Sequence, residues 1–149
     1  MALDSVAAIK ATPYVDKGEG FEVIPVLSAE RKFAGGGLIA SSRQLADAGS
    51  LLTQGHLGTS VQLQHNLMAA KHEKGNYSYG MGAGVSTQGE HVGTLHVNMG
   101  GGSPGGRGYL LVFVEPGVSV GIAGNAEGEG DQVAAIAIAL AKWFAWGES

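Results

Sequence analysis

The chain has 149 residues, a formal net charge of −4, and 15% charged against 44% hydrophobic residues. That balance excludes intrinsic disorder, and nine Lys plus Arg residues with no basic stripe exclude nucleic acid as a partner. Cysteine is absent, which removes disulfides, thiolate metal sites and cysteine nucleophiles together.

The length suits one domain, residues 1–149. No run of about 18 uncharged apolar residues occurs, so no membrane partner is expected. Met1-Ala2-Leu3-Asp4 lacks the basic and apolar regions of an export signal, and the expectation is a soluble protein. The 26 glycines follow no Gly-x-y period, so they act as local backbone freedoms rather than a collagen repeat.

In chain order, residues 4–11 predict a short helix capped by Asp4 or Ser5, with Pro13 as its stop. Residues 14–33 are extended and irregular, broken by Gly18, Gly20 and Pro25; Phe21, Val23 and Ile24 support one short strand at most. Gly35-Gly36-Gly37 predict a tight turn. Ser41 and Gln44 then predict a capping box, in which hydroxyl and amide satisfy orphan backbone donors reciprocally. Leu45, Ala48, Leu51 and Leu52 recur at helical spacing behind that cap, and Gly55 closes the helix. A second helix is predicted over 59–71 from Val61, Leu63, Leu67, Met68 and Ala70, with Gly75-Asn76 beyond it.

Short apolar or alternating runs follow at 77–86, 92–99, 108–115 and 118–125. Glu115-Pro116-Gly117 is the clearest turn between them. Runs this close pair antiparallel, because parallel pairing needs a crossover of about a dozen residues or more. A final helix starts at Asp131 and places Val133, Ile136, Ala137, Leu140 and Phe144 on one face. Ala135, Ile138, Ala139 and Trp143 fill much of the rest, which predicts cover on more than one side, and Lys142 suits the negative C-terminal end. The expected class is α+β: an antiparallel sheet of three or four strands with helices packed on it.

The histidines His56, His65, His72, His91 and His96 do not build a metal site by spacing. His65 and His72 are two helical turns apart, about 10 Å between Cα atoms. His91 and His96 have odd separation, so on a strand they face opposite sides. No metal and no cofactor are expected. The glycine run from Gly100 to Gly108 lacks the Gly-Lys-Ser/Thr and following helix of a phosphate loop, since residues 109–114 read as a strand.

With the strands around it, Asn98-Met99-Gly100-Gly101-Gly102-Ser103-Pro104-Gly105 resembles the third active-site motif of the serine β-lactamase and penicillin-binding-protein-like superfamily. The likeness is to the branch of class C β-lactamases, D-stereospecific peptidases and esterases, which commonly reads His-Gly-Gly-Gly-Thr-Pro-Gly there. Ala34-Gly35-Gly36-Gly37-Leu38-Ile39-Ala40-Ser41-Ser42-Arg43-Gln44-Leu45-Ala46 is similar to that family's helix start, Ala-Gly-Gly-Leu-x-Ser-Thr-x-x-Asp-Leu-Ala. Tyr77-Ser78-Tyr79-Gly80-Met81-Gly82 is similar to its Tyr-Gly-Leu-Gly-Trp segment. The matches span residues 34–146 and imply the C-terminal portion of such a domain, an incomplete β-lactamase-like fold.

The departures decide what the resemblance implies. The family nucleophile is the serine of Ser-x-x-Lys, and none of Lys10, Lys17, Lys32, Lys71, Lys74 and Lys142 has serine three residues before it. Tyr-x-Asn is also missing, since Tyr14, Tyr77, Tyr79 and Tyr109 are followed two residues on by Asp16, Tyr79, Met81 and Leu111. Met99 replaces the Lys or His of the third motif, and a thioether is neither base nor cation. No catalytic residue is therefore assigned. The resemblance implies a substrate-groove strand made of Met99, Gly100, Gly101, Gly102 and Ser103, with the Gly102 N–H in the place of an oxyanion donor.

The expectation is a binding or assembly module, non-catalytic alone, with a small-molecule ligand in that groove. The alternative is half of a split or truncated serine hydrolase completed by a second chain. An incomplete sheet has an open edge, which a homo-oligomer or that second chain would cover. Trp143, Phe144 and Trp146 are expected at the exposed surface.

Overall fold

The computed structural model describes residues 11–25, 39–56, 72–74, 77–79, 84–86, 96–127 and 130–147. The predicted helix over 59–71 and the turn at 35–37 lie outside these residues. So does the predicted helix over 4–11, apart from Ala11, which is irregular.

The described chain opens with a hairpin of β1 (Tyr14–Asp16) and β2 (Phe21–Val23) where at most one strand was expected. The reversal comes from side-chain chemistry. Asp16 Oδ1 accepts the Gly18 N–H at 2.7 Å, and Gly18 and Gly20 take φ of 83° and 144°, a region glycine enters without steric cost. Backbone bonds from Tyr14 N to Asn125 O and from Glu127 N to Tyr14 O tie the hairpin to the other end of the chain.

Helix α1 (Ser42–Thr53) begins as predicted. The Ser41 hydroxyl accepts the Gln44 N–H at 3.2 Å, and Gln44 Oε1 accepts the Ser41 N–H at 2.9 Å. Gly55 follows the helix with φ 75°. The buried face differs from the predicted one: its centre is Gly49, while Ala48 and Leu51 are exposed.

The main sheet has six strands: β3 (His72–Lys74), β4 (Tyr77–Tyr79), β5 (Gly84–Ser86), β6 (His96–Ser103), β7 (Gly106–Phe113) and β8 (Val118–Gly124). Each strand pairs antiparallel with the next in sequence order, the topology that short connections dictate. The three long strands β6, β7 and β8 form the expected meander, and the three short ones extend it. Two of the short strands divide the run predicted over 77–86. The run predicted over 92–99 becomes β6, four residues later at its start, and continues through three glycines. Pairing with β7, from His96↔Phe113 to Ser103↔Gly106, overrides the weak strand propensity of glycine there.

The register sorts side chains onto two faces. On one, Leu110, Val112 and Ser119 meet α1 at Gly49: a Cβ there would lie 2.8 Å from Val112 Cγ2 and on the Ser119 hydroxyl. On the other, Leu111, Phe113 and Val120 form the core with Ala137 and Ala141 of α2 (Gly130–Trp146). Burying side chains such as Leu111 and Phe113 contributes about 1.5–3 kcal/mol each. The described residues thus form a sheet with one helix on either side, an α+β arrangement.

Helix α2 starts at Gly130, one residue before the predicted cap Asp131, and stops where Gly147 takes φ 70° and its N–H bonds the Trp143 carbonyl. Its buried stripe is Ala137 and Ala141, both fully buried, and not the larger residues of the expected face. Cover on more than one side is likewise not found among the described residues, where Ile136 is 53% exposed and Phe144 66%. Small side chains let the helix axis approach strands that already carry Leu and Phe, so volume is filled from the sheet side. Lys142 falls just before the last turn, which carries no basic residue.

Candidate functional site

The predicted groove strand occupies the far half of β6. Along its whole length β6 pairs with β7, but β5 reaches only His96, Val97 and Asn98. From Met99 to Ser103 no described strand lies on the β5 side, and all five residues are exposed. The two-residue loop Pro104-Gly105, with Gly105 at φ 71°, makes Ser103 and Gly106 the closing pair of the hairpin. In such a ladder alternate residues turn their backbone groups to the same side, so Gly100 and Gly102 turn theirs toward the open edge. The five residues singled out from sequence therefore form one continuous strip of accessible backbone.

The faces of this strip differ. Met99 lies on the α1 face with Gly101, around which no described atom comes within 4 Å of a Cβ position. On the α2 face Gly100 and Gly102 lie under side chains from β7. A Cβ at Gly100 would sit 3.0 Å from Tyr109 Cδ2, and one at Gly102 would strike the Arg107 guanidinium. Register explains both contacts, because Tyr109 is opposite Gly100 and Arg107 opposite Gly102. Without side chains of its own, this half of β6 lets a cation and a phenol ring lie across it. A cavity of about 370 Å³ borders the same place, with Val133 and Ala134 of α2 forming its other wall.

Arg107 and Tyr109 were missed in the sequence. Counting back from the Pro104-Gly105 turn places them opposite the glycines, and that count was the available signal. Other candidates resolve into structural roles. Ser41 is occupied as a helix cap, and the Ser42 hydroxyl accepts the Ala123 N–H at 3.1 Å. His96 packs its ring against Phe113 at 5.3 Å, and His56 is exposed beyond the end of α1. Among the described residues no three His, Asp or Glu side chains gather as metal ligands, and no described helix is long and apolar enough to cross a membrane. His65 and His91 lie outside the described residues. The strip can present backbone donors and acceptors, one cation and a small recess.

This architecture has a fold shared with two solved structures, a penicillin binding protein and a D-stereospecific amidohydrolase. The chain is similar to a penicillin binding protein from Bacillus halodurans over 94% of its length, with a TM-score of 0.65 and 20% identity. It is similar to a D-stereospecific amidohydrolase from Streptomyces sp. over 95%, with a TM-score of 0.67 and 21% identity. It spans 43% and 41% of those two chains, so it corresponds to part of such a domain. No family model and no curated protein matches the sequence.

Proposed function

We propose that this chain is a β-lactamase-like binding module, non-catalytic by itself, whose ligand lies along the open edge from Met99 to Ser103. The observation that carries the reading is the bare half of β6, exposed and with no described strand on one side, with Arg107 laid over Gly102. Backbone groups turned outward from Gly100 and Gly102 suit an extended, amide-containing ligand, which would add hydrogen bonds as a further strand does. The guanidinium suits a carboxylate on that ligand, since Arg matches a carboxylate with two parallel N–H donors. An oxyanion donor contributes on the order of 3–4 kcal/mol to acyl transfer. Without Ser-x-x-Lys it has no attacking hydroxyl to assist.

The test uses the purified chain with nitrocefin and a p-nitrophenyl ester for turnover, and benzylpenicillin for binding. No hydrolysis above a heat-inactivated control is expected, together with benzylpenicillin-induced shifts of the Gly100 and Gly102 amide resonances. Turnover would overturn the non-catalytic reading, and unshifted amides would overturn the groove.

A second reading is supported by the 41–43% span of the solved chains. In it, this polypeptide is one part of a serine hydrolase and a second chain supplies the Ser-x-x-Lys helix. Co-expression with the reading frame upstream, followed by affinity capture of this chain, discriminates: recovery of this chain alone counts against it.

A further inference from the structure

We infer that the β1–β2 hairpin clamps the groove strand: Pro13 and Ile24 are positioning residues that hold the β6–β7 turn and, through it, the outward-turned backbone of Gly100 and Gly102. This role rests on the groove reading of the proposed function and supplies what keeps that groove in shape.

The far half of β6 has little of its own to fix it. Glycine-rich strands specify their register weakly, and Gly100, Gly101 and Gly102 follow one another here. Among the described strands only β7 bonds this half. Its register then depends on the turn that closes the hairpin, Pro104-Gly105.

That turn is held from outside the sheet. Ser103 and Pro104 are exposed, yet Gly105 is buried. A Cβ at Gly105 would strike Pro13 Cβ and lie 2.7 Å from Ile24 Cδ1, so two half-buried side chains close over it. The Ile24 N–H donates to the Pro13 carbonyl at 3.1 Å, which keeps the two residues side by side. The hairpin that carries them is itself anchored. Tyr14 bridges Ala126 in parallel: its N–H donates to the Asn125 carbonyl at 2.8 Å, and its carbonyl accepts the Glu127 N–H at 2.9 Å. The Asn125 side-chain amide donates to the Thr12 carbonyl at 2.9 Å. Asn125 directly follows β8, which pairs with β7 from Arg107↔Gly124 to Phe113↔Val118. The hairpin therefore reaches from the end of β8 to the end of β6, and it fixes the turn against a framework that is already rigid. A strip held beforehand in its binding geometry loses less freedom when a ligand orders along it, and so binds more tightly.

Amide hydrogen exchange of the unmodified chain, Ile24→Ala, Pro13→Ala and Ile24→Val tests this, with benzylpenicillin then titrated into each. Gly101 and Ser103 turn their N–H groups toward β7, so their exchange reports opening of the strip. In Ile24→Ala and Pro13→Ala both amides are expected to exchange about ten-fold faster, while that of the fully buried Val112 keeps its rate. Benzylpenicillin is expected to bind these two variants several-fold more weakly, and Ile24→Val to recover most of the affinity. Unchanged exchange at Gly101 and Ser103, an equal acceleration at Val112, or faster exchange with undiminished affinity overturns the proposal. Absence of benzylpenicillin-induced shifts at Gly100 and Gly102 in the unmodified chain overturns the groove reading instead. The exchange rates are measured without ligand, so failure of the groove and failure of the clamp are separately visible.

Discussion

Strands β6 and β7 run side by side in one ladder, yet they do opposite work. The end of β7 is buried on both faces: Leu111 and Phe113 against α2, Val112 against α1. The end of β6 is exposed, carries three successive glycines and has no described strand beside it on one side. The same backbone geometry thus serves as an interior wall in one strand and as an accessible edge in the next. The difference lies in side-chain volume and in how far β5 extends, not in the hydrogen-bonded pairing that the two strands share. Stability should therefore be concentrated in β7, β8 and the helices, and the far half of β6 should tolerate change.

The largest effect is expected where that interior is emptied. Phe113→Ala removes a buried ring and its edge-to-face contact with Trp146 at 5.1 Å, and should cost about 3–5 kcal/mol in urea unfolding. An effect below about 1 kcal/mol would break the comparison. Overfilling the helix crossing comes next. Gly121 lies under the first turns of α1, where a Cβ would strike the Ser42 carbonyl and sit 2.7 Å from Ala46 N. Backbone cannot step aside as a flexible side chain does, so Gly121→Ala should cost about 2 kcal/mol by the same measurement. The smallest change is expected on β6. Gly101→Ala adds a methyl group to open space and should alter stability by less than about 0.5 kcal/mol. A loss beyond about 1.5 kcal/mol would show that this half of β6 is packed after all.

Legibility in the sequence followed the range of each interaction. Ser41 and Gln44 were readable because their bonds close within four residues. Glu115-Pro116-Gly117 was readable because Gly117 alone permits the φ of 70° that the turn takes. The groove strand was readable as a motif, Met99 through Ser103, because its glycines are contiguous. Its partners were not: Arg107 and Tyr109 join it only through the register of β6 with β7. The β1–β2 hairpin was missed because two three-residue strands give too short an alternation to register, although Asp16 and Gly18 carried the turn.

Helix faces show where local reading stops. Hydrophobic periodicity in α2 gave several apolar stripes of similar weight and favoured the one with the bulkier residues. Which stripe turned inward was decided by the sheet, whose Leu111, Phe113 and Val120 already fill the space and accept only alanines opposite. Gly49 was chosen in the same way by Val112 and Ser119. The sequence by itself determined the caps, the turns, the antiparallel order of the strands and the absence of Ser-x-x-Lys, because each depends on neighbours along the chain. Only the tertiary structure decided which faces are buried and where β6 stands open, because those depend on volumes and neighbours brought together from distant segments.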